Sequence, residues 1–238
     1  MTGPLLALDS STHVGSAAVG DETGVLAESV LRVAGGHSAA LLPAVDQVLR
    51  AAGLRPADLA GVVVGGGPGS FTGLRIAAAT AKGIVQALGV PLYAYSGLLA
   101  AAVSGWGAEG EVCALFDARR RDVYAASYRF AGAAAVEVVM EPTALALDDL
   151  LAHFAGGRPP LMVGEGAVLH REEIERALGA RVVPPQLGVP RASALIWLAT
   201  HAPALGLVPD APGWEPEYVR ASGAERIAAE GRLPGGLS

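Results

Sequence analysis

The sequence predicts an α/β protein with mixed sheets, assembled from two tandem units. Three observations carry that expectation. Strand-length and helix-length apolar runs follow one another in the order βββαβαβα by about residue 104. After a Gly-rich spacer at 104–110 the chain partly restarts: residues 111–116 end in Asp117 as residues 5–8 end in Asp9, and further strand-like runs follow each. Strands followed by helices, twice over, are the pattern of α+β or α/β units with mixed sheets. The third observation is a strand–glycine loop–helix passage, Val62-Val63-Val64-Gly65-Gly66-Gly67-Pro68-Gly69-Ser70-Phe71-Thr72-Gly73-Leu74-Arg75-Ile76. Its β-branched run reads as a buried strand. The glycines and proline prescribe a tight turn with little side-chain bulk.

The elements read in order as follows. Leu5-Leu6-Ala7-Leu8 is a buried first strand ending in the polar turn Asp9-Ser10-Ser11-Thr12. Residues 15–19 and 24–33 are the second and third strands, with 20–24 as the hairpin. Ser38 is placed to cap a helix that runs to about Ala52, with Gly53 as its stop. Leu41, Leu42, Val45, Val48 and Leu49 form its apolar stripe, and Pro43 should remove one hydrogen bond or tilt the first turn. Residues 60–65 form the fourth strand. Residues 72–88 form the second long helix, capped by Ser70 and Thr72 and stopped at Gly89. Leu74, Ala78, Ala81, Val85 and Leu88 line one side of it, while Ala77, Ala79 and Gly83 keep its surface nearly flat. Residues 91–95 are a fifth strand, and Ser96 caps a short helix to about Val103. In the second unit the strands are 111–116, 122–130, 134–140, 161–164 and 181–183, and the helices 147–154, 167–178 and 193–201, the last capped by Ser193.

Composition narrows the class of protein. The chain has 238 residues, 52% hydrophobic and 17% charged. No apolar run approaches the ~20 residues of a membrane helix. The N-terminus lacks a basic region and meets Asp9 early, so no signal peptide is expected; the location expected is cytoplasmic, without membrane contact. The single cysteine, Cys113, excludes an internal disulfide and a multi-cysteine metal site. A net charge of −6 argues against a strong autonomous nucleic-acid surface. The densest basic run, Arg119-Arg120-Arg121, is flanked by Asp117 and Asp122.

Familiar chemical motifs fail one by one. His13, His37, His153, His170 and His201 share no helical ligand spacing, so no metal is expected. Gly69-Ser70-Phe71-Thr72-Gly73 does not meet the Gly-x-Ser-x-Gly of a nucleophile elbow. The glycine loop meets neither Walker A nor the dinucleotide fingerprint, which leaves a generic oxyanion or phosphate contact open. In actin-like ATPases, acids placed as Asp9 and Asp117 are here help hold Mg²⁺ and phosphates. This chain has His13-Val14 where such an enzyme wants glycine, and a plain strand-end turn explains the acids equally well. Arg75 and Lys82, the only lysine, lie seven residues apart on one helical face, which points to an acidic partner or an anion.

Gly67-Pro68-Gly69-Ser70-Phe71-Thr72-Gly73-Leu74-Arg75-Ile76, followed by Ala79-Thr80-Ala81-Lys82-Gly83, resembles the signature of the TsaB (YeaZ) family. Leu8-Asp9-Ser10-Ser11-Thr12, His37-Ser38, Leu41-Leu42-Pro43, Ala118-Arg119-Arg120, Gly164-Glu165-Gly166 and Tyr218-Val219-Arg220 agree with it in order along the chain. The resemblance implies an actin-like/Hsp70-like (ASKHA) fold of two RNase-H-like domains, 1–104 and an abbreviated 105–222, with a tail at 223–238. It implies a non-catalytic partner of the TsaD transferase in making threonylcarbamoyladenosine in tRNA. TsaE would be a further partner, tRNA would be met only through the complex, and the chain alone would form a homodimer. The pairing surface implied is the two long helices, with His37, Leu41, Leu42, Val45, Phe71, Leu74, Arg75, Ala78, Lys82 and Val85 as its residues. Asp9, Ser11 and Thr12 would be remnants of a nucleotide site. No catalytic residue, metal or resident cofactor is implied, and a nucleotide at the TsaD interface stays open. Two positions depart from the family pattern: Gly66 stands where arginine is frequent, and Ala77 where glycine is. The competing expectation is an ATP-dependent or nucleotide-binding protein of the actin-like superfamily. A peptidase comes last, for want of a nucleophile–base pair.

Overall fold

A strand buried on both faces reads as a near-continuous apolar run, and the first strand, β1 (Leu5–Asp9), is buried throughout, apolar from Leu5 to Leu8 and ending in Asp9. In the computed structural model, which describes residues 3–32, 37–132 and 135–219 (at 37–39 the backbone alone), β1 lies at the centre of the first sheet. It pairs antiparallel with β2 (Val14–Asp21) and parallel with β4 (Gly61–Gly65), from Leu5 opposite Gly61 to Leu8 opposite Val64. With β3 (Gly24–Arg32) and β5 (Leu92–Tyr95) the order is β3-β2-β1-β4-β5.

The period of two along each strand divides this sheet between two cores. Leu6, Leu8, Ala17, Val19, Val62 and Val64 face helices α1 (His37–Ala51) and α2 (Phe71–Leu88). Leu5, Ala7, Ala18 and Val63 face the opposite way, towards α3 (Gly97–Ala102) and a helix from the far end of the chain. The second sheet, in the order β8-β7-β6-β9, is built from β6 (Glu111–Asp117), β7 (Asp122–Ala131), β8 (Ala135–Ala146) and β9 (Leu161–Val163). Val112, Ala114 and Phe116 of β6 join the core that α3 shares with the first sheet. Cys113 and Leu115 face α4 (Leu147–Phe154) and α6 (Arg171–Leu178).

Several expectations change here. The helix predicted over 167–178 is two, α5 (Glu165–Leu169) and α6, broken at His170. The strand predicted at 181–183 is reduced to one bridge, Met162 with Val182. Proline does sit inside α1, at Pro43. The proposed Ser38 cap and the predicted tail at 223–238 lie outside the described side chains and residues.

The largest difference concerns α7 (Ala192–His201), predicted within the second unit. It packs instead on β1, β2, β3 and β4 of the first sheet. Its N-terminal donors explain why. Ala192 N–H donates to Ser16 Oγ at 3.0 Å, and Ser193 N–H to Glu28 Oε1 at 3.0 Å. The cap is therefore a carboxylate and a hydroxyl from β3 and β2, and the Ser193 side chain takes no part in it. A short helix, α8 (Pro203–Gly206), follows, and no helix of the described residues is long and apolar enough to cross a membrane.

Candidate functional site

The turn after β1 and the glycine loop after β4 meet at the ends of two neighbouring parallel strands. Asp9, Ser10, Ser11 and Thr12 are all buried. Ser11 donates its N–H and its hydroxyl to Asp9 Oδ1, at 3.1 and 3.0 Å. Burial pushes the Asp9 carboxyl up to about 7, against the opposing pull of those two hydrogen bonds. Thr12 Oγ1 accepts the Val14 N–H at 3.1 Å, a local turn contact.

The loop closes over this turn with its own backbone. Ser70 N–H donates to the Ser11 carbonyl at 2.7 Å, and Ser10 Oγ donates to the Gly73 carbonyl at 2.8 Å. A Cβ at Gly73 would overlap the Ser10 carbonyl oxygen, so the glycine there is required by the chain's own packing. Ser70 caps α2 by accepting the Gly73 N–H at 3.3 Å, and Gly89 ends the helix in the left-handed region. Asp117, the second strand-end acid, is exposed and accepts the Arg119 N–H at 2.7 Å. Between the two strand ends, His13 Nδ1 and Glu165 Oε2 lie 2.6 Å apart. Among the described residues, no three His, Cys, Asp or Glu side chains are grouped to hold a metal.

The predicted pairing surface splits into three groups. Leu41, Val45, Leu74, Ala78 and Val85 are buried in the isolated chain, Leu41, Val45 and Val85 within the core that covers β1 and β4. In the isolated chain their side chains are packed within the fold. A helix needs an apolar stripe to cover its own sheet, and a stripe does not reveal whether sheet or partner lies against it. Leu42 is 59% exposed, as a contact residue should be. The side chain of His37 lies outside the described ones.

Phe71, Arg75 and Lys82 form the third group, and all three touch the segment 207–219, a strap that ends the described chain. The strap begins at the edge of the first sheet, where Val208 N–H donates to the Leu92 carbonyl at 3.0 Å. It then crosses the glycine loop, where Glu217 N–H donates to the Gly66 carbonyl at 2.8 Å. A Cβ on Gly67, whose φ is +113°, would overlap the Glu217 carbonyl oxygen. Lys82 Nζ donates to the Trp214 carbonyl at 2.8 Å and lies 3.7 Å from Glu215. The Phe71 and Tyr218 rings are 5.1 Å apart, with the Arg75 guanidinium 3.9 Å from the Phe71 centroid.

Successive residues step about 100° round a helix, so Phe71, Arg75 and Lys82 share one flank of α2. Ala79 and Gly83 lie on the neighbouring outward ridge, and both are exposed. A Cβ at Gly83 would meet nothing within 4 Å. The strap was missed from sequence. Its signal was Tyr218-Val219 itself, present in the resemblance without a role, in a stretch whose Pro and Gly content reads as a loose tail.

The family model described as TsaD, tRNA N6-adenosine threonylcarbamoyltransferase, matches residues 21–162. The Bacillus subtilis tRNA threonylcarbamoyladenosine biosynthesis protein TsaB is 33% identical over 223 residues, 93% of this chain and 96% of that protein. The Escherichia coli TsaB is 34% identical over 127 residues, 52% of this chain and 54% of that one. A solved Pseudomonas aeruginosa protein described as similar to the peptidase YeaZ superimposes with a TM-score of 0.77 at 28% identity, covering 92% of this chain and all of that one.

Proposed function

The chain belongs to the TsaB family of tRNA threonylcarbamoyladenosine biosynthesis proteins, with the actin-like fold of that family, and from that premise we propose that it is a non-catalytic subunit that docks onto TsaD through α1 and α2. The observation that carries this reading is Gly83. A glycine in a helix interior costs about 1 kcal/mol relative to alanine, and nothing in the chain approaches Gly83 closely enough to require it. A partner helix would give it a use, because small residues let two helices approach to about 8 Å. Ala79, one turn earlier and also exposed, extends the flat surface, and the exposed Leu42 supplies an apolar contact on the adjoining helix.

The turn at Asp9 supports the non-catalytic half of the reading. Its acid is buried, pushed up to about 7 by desolvation, and roofed by the glycine loop. Ser70, the residue a peptidase reading would use, serves as a helix cap. The TsaE ATPase completes the assembly, tRNA is met through the complex, and the cytoplasm is where it works. The chain needs no resident cofactor on this reading, and α1 and α2 pair with a second copy when TsaD is absent.

Co-expression with the cognate TsaD tests the proposal. The parent chain should co-purify with it, while Ala79→Arg and Gly83→Leu, both on exposed positions, should release it and leave the fold intact. A complex undisturbed by both substitutions would sink the docking surface. Calorimetry with Mg-ATP tests the competing enzyme, which predicts micromolar binding lost in Asp9→Ala.

A further inference from the structure

Among the described residues, Arg75 has no carboxylate within ion-pair distance, whereas several other arginines do. Arg50 pairs with Asp46, Arg171 with Glu175, and Arg121 with both Asp148 and Glu173. Arg75 is exposed, and among the described residues its only polar partner is the Tyr218 hydroxyl, which accepts from Nε at 3.3 Å. Its guanidinium lies over the Phe71 ring at 3.9 Å, with the Tyr218 ring 6.0 Å away on the strap. Two aromatic neighbours and one hydrogen bond hold a long side chain that is ordinarily mobile. The donors of a guanidinium lie in its plane, so stacking against a ring leaves the terminal nitrogens free to donate.

Lys82, the other cation of this flank, is already engaged by Trp214 and Glu215. Among the described residues, the α2 face therefore presents one oriented cation without a carboxylate, Arg75, beside the flat ridge of Ala79 and Gly83. We propose that Arg75 is a carboxylate-binding anchor of this face, held in position by Phe71 and by Tyr218 of the strap, and that it receives an Asp or Glu from the segment of the partner subunit that docks on α2. The inference rests on the docking reading above and adds to it the chemistry of the contact. A single carboxylate matches a single planar fork bidentately, whereas a nucleic-acid backbone is recognised by several cations together. Prior ordering of Arg75 removes part of the entropy lost on association, and Arg and Tyr are among the side chains enriched at interface hot spots.

Titration calorimetry of the full chain against the cognate TsaD, at two salt concentrations, tests this. Arg75→Lys keeps the charge but loses the stack and the fork, and should weaken binding about tenfold. Arg75→Met should weaken it at least as much and reduce the salt dependence. Tyr218→Ala should weaken it several-fold by loosening Arg75, while Tyr218→Phe, which keeps the ring, should fall between it and the parent. Each variant should melt close to the parent, since the contact is exposed. In Arg75→Glu, binding should return when one Asp or Glu of the partner is replaced by Arg, which identifies the carboxylate. Arg75 variants that bind within twofold of the parent would overturn the anchor and leave the docking reading standing. Tighter binding by Tyr218→Ala would overturn it too, by showing that the strap covers the face. A parent chain that does not bind at all would overturn both.

Discussion

Lys82 donates a hydrogen bond from its ammonium group to the carbonyl oxygen of Trp214, 2.8 Å away, across 132 residues of chain. That bond fastens the end of the described chain to the flank of α2, and it gives the only lysine of the sequence a definite use. The cation that looked free for a partner is satisfied within the fold. Its substitution should accordingly be read first in stability. Lys82→Met keeps the apolar stem and removes the donor, and should cost about 1–2 kcal/mol. Hydrogen exchange should show the Glu217 amide, bonded to the Gly66 carbonyl, exchanging faster in the variant. Unchanged exchange would mean that the rings of Phe71 and Tyr218 hold the strap without Lys82.

Two glycines of the same helix should respond oppositely to alanine. Gly73→Ala places a methyl group into the Ser10 carbonyl and should destabilise by roughly 3 kcal/mol or more, a core overpacking effect. Gly83→Ala enters open space and should stabilise the isolated chain by about 0.5–1 kcal/mol through helix propensity. Urea unfolding of both variants beside the parent reads the two signs. A destabilised Gly83→Ala would remove the argument that only a partner needs that glycine.

Asp9 predicts a pH dependence. Its carboxyl rises from 3.8 to about 7 on folding, chiefly by burial, so between those values the folded chain holds a proton that the unfolded chain has released. Stability supplied by the neutral acid is full below about pH 4, declines as pH rises, and is gone above about pH 7. Asp9→Asn keeps an acceptor for Ser11 and removes the charge. It should flatten the profile and stabilise the chain at pH 8 by on the order of 2–4 kcal/mol. Equal slopes for parent and variant between pH 5 and pH 8 would show that Asp9 stays ionised.

Glu28 ties α7 to the first sheet. One oxygen accepts the Ser193 N–H at 3.0 Å and the other pairs with the Arg191 guanidinium. Glu28→Ala removes the carboxylate half of the α7 cap and the partner of Arg191, and should cost about 2 kcal/mol. Glu28→Gln, which still accepts from Ser193, should cost about half of that. Thermal melts of the two variants check the order, and a Glu28→Ala chain as stable as the parent would assign the docking of α7 to its apolar face alone.

The elements were legible in the sequence wherever a local rule applies. The runs Leu5 to Leu8 of β1 and Val62 to Val64 of β4 are apolar because both faces are covered, and the structure places them side by side and parallel. Ser70, Gly89 and Ser96 cap or stop their helices by contacts within three or four residues. The signature around the glycine loop was legible for the same reason, since it is one contiguous stretch of sequence. The candidate docking face was legible only in part. Leu41, Val45, Leu74, Ala78 and Val85 have the period of an amphipathic helix, and the period is the same whether a sheet or a partner covers the stripe. The cap of α7 was misread because a serine at the right place is a common cap, while a carboxylate arriving from a strand 165 residues away leaves no local trace.

By itself, then, the sequence determined the strand and helix runs, the tight loop, the absence of known phosphate and nucleophile motifs, and the family. All of these follow from neighbouring residues or from their order along the chain. Only the tertiary structure decided that the loop glycines serve backbone contacts with the Asp9 turn and the strap, that α7 belongs to the first sheet, and that Lys82 is engaged while Arg75 is presented. Those outcomes depend on which groups arrive from distant parts of the chain to satisfy buried donors and exposed cations. A donor's need can be read from its residue type, but its partner is chosen by the fold.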